Sequence, residues 1–188
     1  MTSRENLKQH QIVRVVYSLR DFERAFSALT FLREPKRKED CELAHLRRHY
    51  CFEMTAIVSY ARPFSRAYGP VSPLSMTDLS EYLDISQIKL HERILNLRNK
   101  AFAHSDFDAM EFRIDPIFID GENRSVAFPV FNVPEGPGFL DQNEILLMES
   151  LVKKLINHLA GTVFEFFQGS TEPLIVSAGR IINPPHSD

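Results

Sequence analysis

Apolar residues recur every three to four positions over long stretches of the chain, and polar or proline-bearing segments separate those stretches. From Gln9 to Leu32 the series Val13, Val16, Leu19, Phe22, Phe26, Leu29 predicts a first helix with one buried stripe. The charged segment REPKRK, residues 33–38, breaks it, since Pro35 disfavours helix in the residue before it. A second helix is predicted over Glu39–Tyr68 on Leu43, Leu46, Tyr50, Glu53, Ile57, Tyr60 and Phe64, with Pro63 kinking or ending it. Gly69–Leu83 starts as a loop, and Ser75–Asp78 or Thr77–Glu81 could cap a short helix there. A further amphipathic helix is predicted over Ser86–His104, with Ile88, Ile94, Leu95 and Leu97 apolar.

The period then changes. On either side of DGEN, in residues 110–133, apolar and polar positions alternate, with β-branched and aromatic residues enriched. This is a hairpin pattern with its turn at Asp120–Asn123. Pro116 and Pro129 make both arms edge-type strands. Helical spacing returns over Leu140–Phe167 through Ile145, Met148, Val152, Leu155, Leu159, Val163 and Phe166. Asp141 and Glu144 have the spacing of a capping box, and Gly169 stops the helix. Phe164, Phe166 and Phe167 crowd its end, as core or as a dimer contact. The fold class expected is mainly α. It is an up-down bundle of four to five helices in one domain over residues 1–188, with a β-hairpin insertion between the fourth helical segment and the last and a tail from about residue 170.

Composition fits an ordinary globular protein, with 44% hydrophobic and 25% charged residues in 188. No apolar run approaches the roughly 18 residues needed to span a bilayer, so no membrane partner is expected. Residues 1–11 lack the apolar core of a secretory signal. Cys41 and Cys51 lie ten apart in one predicted helix, about 15 Å along its axis, too far to pair. A cytoplasmic location is expected. The net charge of −3 argues against a generic nucleic-acid coat, but the charge is unevenly spread. Residues 1–105 carry 17 Lys+Arg against 12 Asp+Glu, and residues 106–188 carry 5 against 13. Attraction of a phosphate chain is thus possible in the first part of the chain.

Candidate chemistry concentrates at Leu97–Asp106, LRNKAFAHSD. Packing alone does not require Arg98, Asn99, Lys100 and His104 clustered within two turns. Arg98 is a permanent cation whose planar fork suits phosphate. His104 is the residue type that exchanges a proton near neutral pH. Together they form a minimal kit for phosphodiester chemistry, one group moving protons and the other holding the charge that develops on phosphorus. On an ideal helix Arg98 and His104 stand about 120° apart and about 9 Å in rise, so they do not stack on one face. Either Arg98 folds towards His104, or the helix ends first, or the site forms across a twofold axis.

The stretch RNKAFAH, an Arg with Asn directly after it and a His six positions on, late in an amphipathic helix, resembles the signature of the HEPN superfamily. The surrounding helical order is similar to that of its abortive-infection members. The resemblance implies a helical domain that dimerises and brings two motifs together. It also implies a metal-independent ribonuclease of a toxin or defence system, with RNA as substrate and an antitoxin or regulatory protein as a possible partner. In that reading Arg98, Asn99 and His104 are catalytic, and Lys100 adds positive charge beside His104. Arg62 is a secondary phosphate contact, and His91, one heptad before Arg98, either lines the same groove or simply stands exposed. Glu53, a carboxylate on an apolar face, either reaches solvent at the stripe's edge or orients Arg98 or His104. No cofactor is expected, since the sequence has no Gly-rich phosphate loop and no nucleophile elbow. Cys41, His45 and His49, spaced four apart, are not assigned a metal, because the outer two lie about 12 Å apart. The alternative function is a non-catalytic HEPN-like module that binds nucleotide, RNA or a regulatory protein. A purely structural role would pair Arg98 with Glu53 or Glu92.

Overall fold

A computed structural model describes residues 3–35, 42–66, 72–99, 112–118, 125–131, 139–168, 175–177 and 180–182. Lys100, Cys41, His104 and the expected turn at Asp120–Asn123 lie outside the described residues. The described chain is mainly helical. Four long helices, α1 (Ser3–Leu32), α2 (Glu42–Ala61), α4 (Ile85–Leu97) and α5 (Gln142–Phe167), share one apolar core, and a single turn of helix, α3 (Met76–Leu79), precedes α4.

Cross-helix contacts fix the directions. Phe31 stacks on Phe52 while Asp21 meets Arg62, so α1 and α2 run antiparallel. Arg33 meets Glu149 while Phe26 lies under Lys153, so α5 runs against α1. Gln87 reaches Ser150 while Arg93 reaches Glu144, so α5 also runs against α4. Phe22, Leu29, Ile57, Tyr60, Ile94, Met148, Leu151 and Leu155 fill the space between the helices. Full burial of such a side chain stabilises by about 1.5–3 kcal/mol.

The boundaries follow from local chemistry. Helix α2 ends at Ala61, earlier than the sequence pattern suggests, and passes into a 3₁₀ turn at Arg62–Phe64. Pro63 sits in its first turn, where it has no N–H to continue the α ladder. The Pro63 carbonyl instead accepts from the Leu74 amide at 2.8 Å. Asp84 caps α4 and Asp141 caps α5, each in a reciprocal capping box, with Gln87 and Glu144 respectively. The α5 cap is the one its sequence predicts.

Some stripe positions differ from expectation. Val16 is exposed, and Ile12, Val15, Ala25 and Ala28 face the core instead, so the buried face of α1 includes small residues that hydropathy spacing passes over. Leu46 and Tyr50 are exposed, as are Phe164 and Phe166 at the end of α5. Strands β1 (Phe112–Phe118) and β2 (Ser125–Phe131) pair antiparallel, with Phe112 opposite Phe131 and Pro116 opposite Ala127. Two three-residue strands, β3 (Ile175–Ser177) and β4 (Arg180–Ile182), pair the same way.

Candidate functional site

The site begins with how α4 ends. Up to Leu97 the helix is regular. At Arg98 and Asn99 the backbone widens into a π turn, and the Arg98 amide is shared between the carbonyls of Ile94 and Leu95. Such widening is uncommon inside helices and occurs frequently at functional sites, because it shifts the direction of the side chains that follow. The Arg98 guanidinium is half-exposed, and its Nη1 donates to Asn99 Oδ1 at 3.0 Å. Among the described residues Arg98 forms no ion pair, and the bond to Asn99 is its one side-chain hydrogen bond. The pairing with Glu53 or Glu92 that a structural role would require is absent from the described residues.

The other candidates sit elsewhere. His91 shares the Arg98 face by heptad spacing, but it is only 4% exposed, which corrects both its assignment to a groove and its reading as exposed. It packs edge-on against Phe64, with ring centroids 4.6 Å apart, and stands 2.9 Å through Nδ1 from the Tyr60 hydroxyl. Burial lowers its pKa to about 4, so the ring is neutral near pH 7, and its tautomer sets which partner donates in the hydrogen bond with Tyr60. The same burial raises the Tyr60 pKa. His91 is a satisfied core histidine, unavailable to a phosphate chain.

Arg62 is exposed and reaches Asp21 at 3.4 Å. Tyr60 contacts His91, which places the end of α2 about 10 Å of helical rise back from Arg98 along α4. The described geometry therefore does not bring Arg62 and Arg98 together.

Glu53 is fully buried, so it does not reach solvent at a stripe edge. Nor does a hydrogen bond or ion pair join it to Arg98 among the described residues. Its Oε1 accepts from the Leu140 amide at 2.6 Å, and the Phe139 amide also hydrogen-bonds to the carboxylate. Desolvation raises its pKa, against the lowering effect of these two amides. Oε2 has no hydrogen-bond partner among the described residues.

Sequence reasoning missed what surrounds this contact. Arg93 donates to both carboxylate oxygens of Glu144, at 2.6 and 3.3 Å, and to the Phe139 carbonyl at 2.7 Å. Glu53 from α2 and Arg93 from α4 thus clamp the residues where the chain enters α5, about 7 Å of rise before Arg98. The only sequence signal was Glu53 itself, a carboxylate without a visible partner.

What the described part of the site offers chemically is a half-exposed guanidinium, held on one side by a neighbouring amide, at a widened helix end. No protein-family model matches the chain, and no curated protein or solved structure matches it.

Proposed function

We propose that this protein is a metal-independent endoribonuclease of the HEPN type, acting as a homodimer whose composite site draws on Arg98, Asn99 and His104. The observation that carries the reading is Arg98. It is a cation at a π-widened helix end, oriented by Asn99 and free of any carboxylate among the described residues. A buried or paired arginine would have spoken for a structural role.

In the proposed reaction the 2′-hydroxyl oxygen of RNA attacks the adjacent phosphorus while His104 takes its proton. The bond from phosphorus to the 5′-oxygen breaks, and that oxygen leaves with a proton from the partner subunit's motif. The products are a 2′,3′-cyclic phosphate and a 5′-hydroxyl. Arg98 stabilises the charge that builds on the phosphoryl oxygens. Asn99, by accepting from one arm of the fork, holds the guanidinium in a single orientation, so that less freedom is lost in the transition state. Lys100 adds positive charge beside the motif. Single-stranded or loop RNA is the substrate class, because in-line attack needs a linkage that can rotate. A toxin or defence role, with an antitoxin or regulatory protein as partner, follows from the same reading. It carries the expectation that Arg98→Ala is easier to express than the wild type.

The test is incubation of wild type and His104→Ala with end-labelled single-stranded RNA in EDTA. Cleavage by the wild type alone is expected. Equal cleavage by His104→Ala, or none by either, contradicts the reading.

A further inference from the structure

A second surface, at the far end of the α4–α5 pair from Arg98, combines positive charge with an exposed ring. Between the end of α1 and the middle of α5 lies a cleft of about 320 Å³ whose lining includes Arg33, Glu149, Lys153, Lys154 and Asn157. Glu149 is nearly buried and holds Arg33 on one oxygen at 2.7 Å and Lys153 on the other at 2.8 Å. The hydrogen bond from Lys153, ahead of that from Arg33, lowers the Glu149 pKa and keeps it ionised. It ties two of the cations in the cleft lining to one carboxylate. Lys153 is braced further by the Phe26 ring, 5.1 Å below its Nζ. Lys154 donates to Gln87 Oε1 at 2.8 Å and stands 3.7 Å from Asp84. All three cations keep about half of their side-chain surface in water, so donors remain for an incoming anion.

One turn after Lys154, about 6 Å along α5, His158 packs against Tyr82 with ring centroids 4.3 Å apart and the planes tilted by 36°. Tyr82 is exposed, with about half of its surface in contact with solvent (53%). A charged cleft beside an exposed aromatic ring is the combination by which proteins hold single-stranded nucleic acid, phosphates on the cations and a base on the ring.

We propose that the Arg33–Lys153–Lys154 cleft and the Tyr82–His158 pair form a docking subsite for single-stranded RNA, remote from the Arg98 motif. The inference rests on RNA as ligand, as proposed above, but not on its cleavage. Counting residues along α4 and α5 from the Arg93–Glu144 contact puts the cleft roughly 20 Å from Arg98. At about 3.4 Å per nucleotide of one helical strand, an RNA of about six nucleotides spans that gap, and fewer suffice when it is stretched. The subsite therefore favours substrates of several nucleotides over dinucleotides.

The test is fluorescence anisotropy with a labelled ten-nucleotide 2′-O-methyl RNA, which the proposed chemistry cannot cleave. Tyr82→Ala is expected to weaken binding about ten-fold and Tyr82→Phe to leave it unchanged, as stacking requires. Lys153→Gln with Lys154→Gln is expected to weaken binding and to reduce the salt dependence by about 0.7 per charge removed. Wild-type affinity in Tyr82→Ala and in the double variant, both folded by circular dichroism, overturns the proposal, as does a wild type that does not bind. Equal competition by a ten-residue poly-glutamate peptide, insensitive to Tyr82, also overturns it by marking a general anion surface. RNA bound in this way but never cleaved sustains the subsite and removes the ribonuclease reading. Cleavage with Tyr82-independent binding does the reverse.

Discussion

Two buried ionisable side chains oppose each other in how they respond to pH. The folded-state pKa of His91 lies near 4, below its ordinary 6.5. The folded protein therefore holds its neutral form, and the unfolded chain binds the extra proton first. The contribution of His91 is full above about pH 6.5 and is lost as pH falls towards 4, at roughly 1 kcal/mol per pH unit. His91→Gln, whose amide can donate to or accept from Tyr60, is expected to flatten the fall in unfolding free energy between pH 6.5 and 4.5 in urea titrations. A slope equal to the wild type's contradicts this. Glu53 works in the other sense. Its raised pKa means that the protonated form suits the buried site, and this contribution fades as pH rises through the raised value. Glu53→Gln keeps an acceptor for the Leu140 amide without the charge. It should match or exceed wild-type stability at pH 8, whereas Glu53→Ala strands that amide and should lose about 1–3 kcal/mol. A loss on Glu53→Gln as large as that on Glu53→Ala would show that the charge itself is needed. The sequence marked Glu53 as anomalous, but not its partner. That partner is a backbone N–H 87 positions away, which no side-chain pattern encodes. His91 was misplaced for a related reason. The buried face of α4 runs through Gln87, Leu90, His91 and Ile94, and two of those four read as polar in sequence.

At the scale of elements, what was legible was whatever a local rule governs. The α5 capping box follows from Asp141 and Glu144 three apart, and the end of α2 follows from Pro63. Asp141→Ala removes the acceptor for the Glu144 amide and is expected to cost about 1 kcal/mol in urea unfolding. No measurable change would mean that the Arg93–Glu144 and Glu53–Leu140 contacts fix the helix start unaided. Contacts between elements were not legible. Arg93 bridges α4 to Phe139 and Glu144, 46 and 51 positions on, and nothing in its neighbourhood in the sequence distinguishes it from a solvated arginine. The π turn at Arg98–Asn99 was equally hidden, since the stretch carries neither of the usual helix breakers, Gly and Pro.

For the whole molecule, the mainly helical class was readable from periodicity alone, and the charge bias towards the first 105 residues pointed to the half that contains the motif. The Arg33–Lys153–Lys154 cleft was not readable, because it joins cations from both halves of the chain. The composite-site reading makes a claim only an assembly can meet. If Arg98 of one subunit works with His104 of its twin, mixing Arg98→Ala with His104→Ala should raise cleavage above that of either variant alone, through mixed dimers in which one site keeps both groups. Mixed dimers that form but cleave no faster than the separate variants would place both groups in one subunit.

The most direct measurement of the central claim is the chemistry of the RNA ends produced in EDTA by wild type and by Arg98→Ala. The account expects 2′,3′-cyclic phosphate and 5′-hydroxyl termini from the wild type, and a rate about 10²–10³-fold lower with the same termini from Arg98→Ala. Termini bearing 3′-hydroxyl and 5′-phosphate, or a rate indifferent to Arg98, would contradict it.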